Sequence, residues 1–222
     1  MPSARQEARR FLFPLHLINV SIFVTWWFWP MAHPVLLLVL FIFFVGLAFF
    51  VSYFFRDPER VVPADENIIV SAADGVVVDV EEMEEPDFHL GRQIRIAVFL
   101  SVFDVHVNRA PFTCTVRGSI YKAGAFLDAR HRDASTRNEC RSWLLDTKRG
   151  PVVVRQIAGL IARRIVAWAG EGTVLGRGQR LGMIRFGSRT EIFLPLECKV
   201  LVKAGDRVAG ASTPIARWPE IR

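Results

Sequence analysis

The chain has 222 residues, enough for one domain of moderate size plus an appendage, and 51% of them are hydrophobic. Its net charge is +6, of which residues 1–10 carry +2 and the remainder +4. That balance suits an anionic lipid surface, whereas the lack of a basic stripe interleaved with aromatics argues against nucleic acid. Three isolated cysteines, Cys114, Cys140 and Cys198, show neither a disulfide framework nor metal-ligand spacing, so idle thiols and no metal are expected.

The apolar residues are concentrated at the start. No charged residue occurs between Arg10 and Arg56, and Val35 to Phe55 is an unbroken uncharged run of 21 residues. A helix of that length crosses the ~30 Å hydrocarbon layer. Phe11 to Trp29 is nearly as apolar and ends in Trp26-Trp27-Phe28-Trp29, a cluster suited to headgroup level. Pro30 to Pro34 leaves room only for a tight turn, so residues 1–55 are expected to form a transmembrane helical hairpin. Arg5, Arg9 and Arg10 precede it, Arg56 and Arg60 follow it, and the turn carries no basic residue. The positive-inside rule then places both ends, and the domain that follows, on the cytoplasmic side of the cell membrane.

From Ile68 the pattern changes to short β-branched runs: Ile68-Ile69-Val70, Val76-Val77-Val78, Ile94 to Leu100, Val152-Val153-Val154, Glu191 to Leu194 and Lys199 to Val202. Turn residues separate them, which predicts a mostly β (α+β) domain over 56–222. Ile157 to Trp168 suits either helix or strand. Phe126 to Gly150 is polar and irregular and is expected to be a long loop. Two segments look alike, Ile69 to Val77 and Val202 to Gly210, and the second resembles the hairpin of lipoyl and biotinyl carrier domains. A barrel-sandwich-like core with its ends brought together is the resulting expectation. No lysine occupies a carrier-type tip, so a swinging arm is not expected.

Three motifs carry chemistry: Ala73-Asp74-Gly75, then Phe103-Asp104-Val105-His106-Val107-Asn108-Arg109-Ala110-Pro111, then Arg185-Phe186-Gly187-Ser188. Each is ordinary by itself. Asp-Gly and Gly-Ser are turn dipeptides, and a histidine in an alternating run is usually a half-buried strand residue. Together they supply an acid, an imidazole and a hydroxyl, the parts of a proton relay to a nucleophile. A serine after glycine can attack the preceding carbonyl and, after elimination and hydrolysis, leave a pyruvoyl ketone at a new amino terminus.

In this order and with these flanks the chain resembles the phosphatidylserine decarboxylase proenzymes, in their short bacterial and archaeal form, over roughly residues 56 to 215. The resemblance implies self-cleavage between Gly187 and Ser188, with Ser188 the precursor of a covalent pyruvoyl cofactor and Asp74 and His106 needed for the cut. It implies decarboxylation of phosphatidylserine to phosphatidylethanolamine and CO2, with the lipid amine condensing on the ketone, the work pyridoxal phosphate does elsewhere. A small piece, 188–222, would stay bound to the large piece, 1–187, through Glu191 to Leu194 and Lys199 to Val202 as interior strands. Arg109, Arg185 and Arg189 are candidates to hold the lipid phosphate. Two departures stand out. Longer bacterial relatives carry a second histidine where this chain has Arg109, so either His106 serves both cleavage and decarboxylation or another group shares the work. Cys140 follows Asn138-Glu139 where the family commonly has arginine. A homo-oligomer stays open. The alternatives are a non-catalytic, membrane-tethered adaptor or carrier domain and a pyruvoyl decarboxylase acting on another amine.

Overall fold

A computed structural model describes residues 3–29, 33–131, 133–160, 164–185 and 187–220. The expected turn at Pro30 and residues Ile161 to Arg163 and Phe186 lie outside the described residues. The chain divides into two compact units, Met1–Pro58 and Glu59–Arg222.

The first unit is a pair of helices, α1 (Ala4–Phe28) and α2 (Pro34–Phe54). Pro34 opens α2 where its missing N–H costs nothing. Ser3 precedes α1, and its N–H donates to the Gln6 side chain at 3.2 Å. Both helices are long and apolar enough to cross a membrane, with mean hydropathies of 1.6 and 3.0. The one polar amide midway along α1, Asn19, turns back to the Leu15 carbonyl at 3.0 Å. That satisfies a donor which hydrocarbon could not. Phe11 and Phe55 stack with ring centroids 5.5 Å apart, tying the outer ends of the pair.

The second unit is mostly β, a curled half-barrel. Its strands are β1 (Ile68–Val70), β2 (Gly75–Glu84), β3 (Arg92–Leu100), β4 (Val107–Arg109), β5 (Cys114–Lys122), β6 (Cys140–Thr147), β7 (Gly150–Ala158), β8 (Ile165–Ala167), β9 (Val174–Leu175), β10 (Arg180–Ile184), β11 (Ser188–Leu194), β12 (Lys199–Val200), β13 (Arg207–Val208) and β14 (Pro214–Arg217). One four-residue helix, α3 (Ala134–Arg137), interrupts them. The large sheet runs β13-β2-β3-β11-β7-β6-β5-β9, and two small sheets run β1-β14-β12 and β4-β10-β8. The two look-alike segments pair with each other: Val76 faces Arg207 and Gly75 faces Val208, so the beginning and end of this unit are stitched side by side.

Two expectations are corrected. The polar stretch from Phe126 to Gly150 is not one loop, because Cys140–Thr147 forms β6 between β5 and β7. Trp143 and Leu145 on it are fully buried. Arg141, Ser142 and Asp146 had masked its alternation; the strand is recruited by its neighbours rather than by its own propensity. Nor is Lys199 to Val202 an interior strand, since only Lys199 and Val200 pair, at the edge of a small sheet.

β11 holds the centre. All seven of its residues are buried, and it lies between β3 and β7. Alternation gives its faces different jobs. Ile192 and Leu194 join Ile96, Val98, Leu100, Val154 and Trp143 in the apolar core. Arg189 and Glu191 point to the opposite face. A bulge between Val77 and Asp79 shifts the register of β2 against β3, which turns Asp79 and Glu81 to that same face. There the Arg95 guanidinium meets Asp79 at 2.6 Å, Glu81 at 2.5 Å and Glu191 at 3.3 Å. Arg189 stands 2.9 Å from Glu191, within ion-pair reach though outside hydrogen-bond alignment, and Ser135 donates to Glu191 at 2.7 Å. Burial pulls the Arg189 pKa below its ordinary value, against the opposing pull of Glu191.

Removing one member of such a buried cluster strands the others. Arg95→Met is therefore expected to cost about 3–5 kcal/mol, measured as a lower thermal midpoint of the detergent-solubilised protein. An unchanged midpoint would mean the cluster adds nothing to stability.

Candidate active site

Strand pairing brings two distant corners of the chain together. β3 ends at Leu100, and residues 101–106 carry the chain from the large sheet to β4 in a small one. β10 ends at Ile184, and residues 185–187 carry it the opposite way, from that small sheet into β11. Since β3 pairs with β11 (Leu100 opposite Ser188) and β4 pairs with β10 (Val107 opposite Met183), the two crossings must run side by side. His106 sits on the first and Gly187 on the second.

The contact is direct. The Gly187 N–H donates to Nε2 of His106 at 3.1 Å. On the other side of the ring, Nδ1 lies 3.0 Å from the Asp104 carbonyl oxygen, which can only accept. The two contacts together fix the tautomer, with the proton on Nδ1 and the lone pair of Nε2 directed at the Gly187–Ser188 segment. His106 is fully buried.

Gly187 has φ of 68°, a left-handed conformation that glycine adopts without a Cβ penalty. Ser188 is fully buried, and its hydroxyl has no hydrogen-bond partner among the described residues. A buried hydroxyl held for structure would be expected to be paired; this one is left available, which fits a serine kept for reaction. The Gly187 carbonyl packs against Gly159, just past the end of β7. A Cβ on Gly159 would fall 2.5 Å from the Gly187 carbonyl oxygen and 3.2 Å from its carbon.

A buried amide chain ties the two crossings. Asn108 donates to the Thr190 hydroxyl at 2.9 Å, Gln156 donates to Asn108 at 2.7 Å, and the Trp143 indole donates to Gln156 at 2.8 Å. Asn108 lies two residues beyond His106 and Thr190 two beyond Ser188. The chain therefore sets the spacing of imidazole and hydroxyl from the core.

The remaining candidates occupy other places. Asp74 pairs with Arg60 at 2.6 Å and accepts the Gly210 N–H at 2.8 Å. The oxygen behind the imidazole is thus the Asp104 carbonyl, where the sequence suggested the Asp74 carboxylate. The Asp104 side chain accepts from the N–H and hydroxyl of Ser101 at 2.9 and 2.7 Å and from Arg207 at 3.1 Å, bracing the loop that presents His106. Arg109 is buried and donates to the Gly178 carbonyl at 3.0 Å. Arg189 points away from Ser188 into the ion cluster. Arg185 is half-buried, two residues before Gly187. The three cysteines are buried and unbridged, and burial pushes the Cys114 thiol up to about 12 and that of Cys198 up to about 11.

Asp104, Asn108, Gln156, Gly159 and Thr190 were not picked out from sequence. Asp104 and Asn108 stood inside the motif that was quoted. Nothing local marked the others, whose partners lie far away in the chain.

The family described as phosphatidylserine decarboxylase matches residues 47–216. A phosphatidylserine decarboxylase proenzyme of Symbiobacterium thermophilum is 50% identical over 177 residues, covering 79% of this chain and 82% of the relative. One from Carboxydothermus hydrogenoformans is 49% identical over 172 residues, covering 77% and 81%. One from Geotalea daltonii is 46% identical over 173 residues, covering 77% and 80%.

Gly159→Ala tests the close approach to the Gly187 carbonyl. The backbone of Gly159 lies outside the left-handed region, so alanine there is opposed by contacts alone, with the Gly187 carbonyl first and the Ala129 methyl at 3.2 Å second. Relieving a 2.5 Å overlap with backbone must displace that carbonyl, so the variant is expected to have a lower thermal midpoint and, if the chain cuts itself after Gly187, to do so about a hundredfold more slowly. Normal cleavage in this variant would show that the contact is immaterial.

Proposed function

The chain belongs to the phosphatidylserine decarboxylase family, and from that premise we propose that it converts phosphatidylserine to phosphatidylethanolamine and CO2 after cutting itself between Gly187 and Ser188. The observation that carries the proposal is the contact of a tautomer-fixed His106 with Gly187, beside a buried, unpartnered Ser188 hydroxyl.

In the cut, the Ser188 oxygen adds to the Gly187 carbonyl carbon while Nε2 of His106 takes the hydroxyl proton and then delivers it to the departing Ser188 nitrogen. An ester replaces the amide. Removal of the Ser188 α-proton expels the Gly187 carboxylate, and water converts the resulting enamine to a ketone with loss of ammonia. Gly159 leaves the carbonyl room to become tetrahedral. Asn108 and Thr190 hold the two strands in register meanwhile. Asp74 joins Arg60 to the turn before β2, and its contribution to cleavage is through that ion pair unless the turn rearranges.

The pyruvoyl group so formed supplies an electron sink for the bond that releases CO2. Residues around it fit that task. Position 188 is closed from solvent, which disfavours the charged substrate carboxylate relative to neutral CO2. His106 is the imidazole placed to return a proton after CO2 leaves, so one residue serves both reactions. Of the three candidate arginines, Arg185 is the one we assign to the lipid phosphate, because it is half-buried two residues before Gly187 whereas Arg109 and Arg189 are buried.

The small piece, 188–222, would contain β11 to β14. With β11 flanked on both sides, its Glu191 paired with Arg95 and its Arg189 with Asp79 of the large piece, separation of the two would expose the core. The two apolar helices suit an anchor in the cell membrane with the β unit on the cytoplasmic face, where substrate arrives by lateral diffusion.

Ser188→Ala is expected to leave one intact 25.2 kDa chain without decarboxylase activity, whereas the parent protein yields two fragments with a blocked small-piece terminus by denaturing mass spectrometry. Cleavage of the alanine variant at the same bond would refute the serine route. His106→Gln keeps a polar side chain but no base, and is expected to slow cleavage by about a hundredfold or more. Unaltered cleavage would place the base elsewhere.

A further inference from the structure

Two large apolar side chains are exposed next in sequence to residues that approach Gly187. On one side Val102 lies 3.9 Å from the point where a side chain on Gly187 would begin, and the next residue, Phe103, is 64% exposed. On the other side Gly159 abuts the Gly187 carbonyl, and the next residue, Leu160, is 67% exposed. The two therefore lie on separate loops, each a single residue beyond a contact with the Gly187 peptide. Leaving such side chains in water forgoes about 1.5–3 kcal/mol apiece.

Beside Leu160 the charge is basic, and beside Phe103 it is an arginine–carboxylate pair. Arg164 is exposed, and its carbonyl accepts the N–H of half-buried Arg185 at 3.2 Å. The exposed Arg207 guanidinium covers the carboxylate of Asp104, the residue after Phe103. Apolar side chains beside arginines have the chemistry of an anionic lipid interface. The substrate imposes the same conclusion. Its amine must reach position 188, which has no exposure, while its acyl chains stay in hydrocarbon. A headgroup is short, so the loops bordering position 188 must come down to its level.

We propose that Phe103 and Leu160 form a two-pronged rim that inserts into the anionic bilayer surface around the mouth of the site, so that phosphatidylserine enters from the lipid side. This rests on the decarboxylase reading above, and the experiment separates the two.

Full-length protein would be reconstituted in phosphatidylserine–phosphatidylcholine vesicles. A Phe103→Cys variant carrying a polarity-sensitive fluorophore, with the three native cysteines buried, is expected to be quenched by lipids spin-labelled near the headgroup more than by lipids labelled deep in the acyl chain. No quenching by either would overturn the proposal, whatever the enzyme does. A Phe103→Ser/Leu160→Ser double variant is expected to cleave itself fully. It should lose about tenfold or more in decarboxylation of vesicle-borne phosphatidylserine and keep its rate on dihexanoyl phosphatidylserine dispersed as monomers. An undiminished vesicle rate would overturn the rim, and so would equal loss on both substrates, which would place these residues inside the site. A wild-type protein active on neither lipid would sink the decarboxylase reading instead, leaving the quenching result to stand for the surface.

Discussion

The structure depends on one constraint of strand pairing. A chain that leaves a large sheet for a small one after β3 must be matched by a chain that returns after β10, because β3 pairs with β11 and β4 with β10. Residues 81 positions apart, His106 and Gly187, then meet at 3.1 Å. Neither corner could shift without breaking register in two sheets at once. The imidazole is placed by topology, and its tautomer is set by two backbone groups. The Asp74 carboxylate pairs with Arg60.

The same pairing gives β11 two faces with opposed chemistry. One carries Ser188 and Thr190 into the interior, where the amide chain from Trp143 through Gln156 and Asn108 fixes the distance to His106. The other carries Arg189 and Glu191 into a buried ion cluster with Arg95 and Asp79. Such clusters add less net stability than their short distances suggest, because desolvation opposes the attraction. Their value here is in position, since the paired charges hold β11 in register next to the Gly187–Ser188 bond.

Closure of the site and access to it pull in opposite directions. Position 188 is sealed from water, which favours the chemistry, yet its substrate is a lipid with a short headgroup. Apolar residues on the bordering loops reconcile the two requirements if the seal is completed by the bilayer. A membrane anchor at the start of the chain and an apolar rim at the site mouth would then divide the work, one limiting diffusion to a plane and the other setting depth.

The sequence by itself determined what local patterns can carry. An uncharged run of 21 residues is long enough to span hydrocarbon, β-branched runs between turn residues make strands, and Gly187-Ser188 and His106 in their flanks stand out as the proposed reactive parts. It was silent where the deciding partner is remote. β6 has a polar alternation that its own residues obscure, and only burial between β5 and β7 makes Cys140–Thr147 a strand. Arg189, a candidate for the lipid phosphate by sequence, is turned by the period of two toward Glu191. The partners of Asp74, Arg60 and Gly210, are 14 and 136 residues away and nothing near it in sequence names them. Gly159 looked like any loop glycine until the Gly187 carbonyl came within 2.5 Å of its absent side chain. Tertiary structure decided these because each depends on a distance between residues far apart in the chain, and such distances are created by sheet register rather than by neighbouring residues.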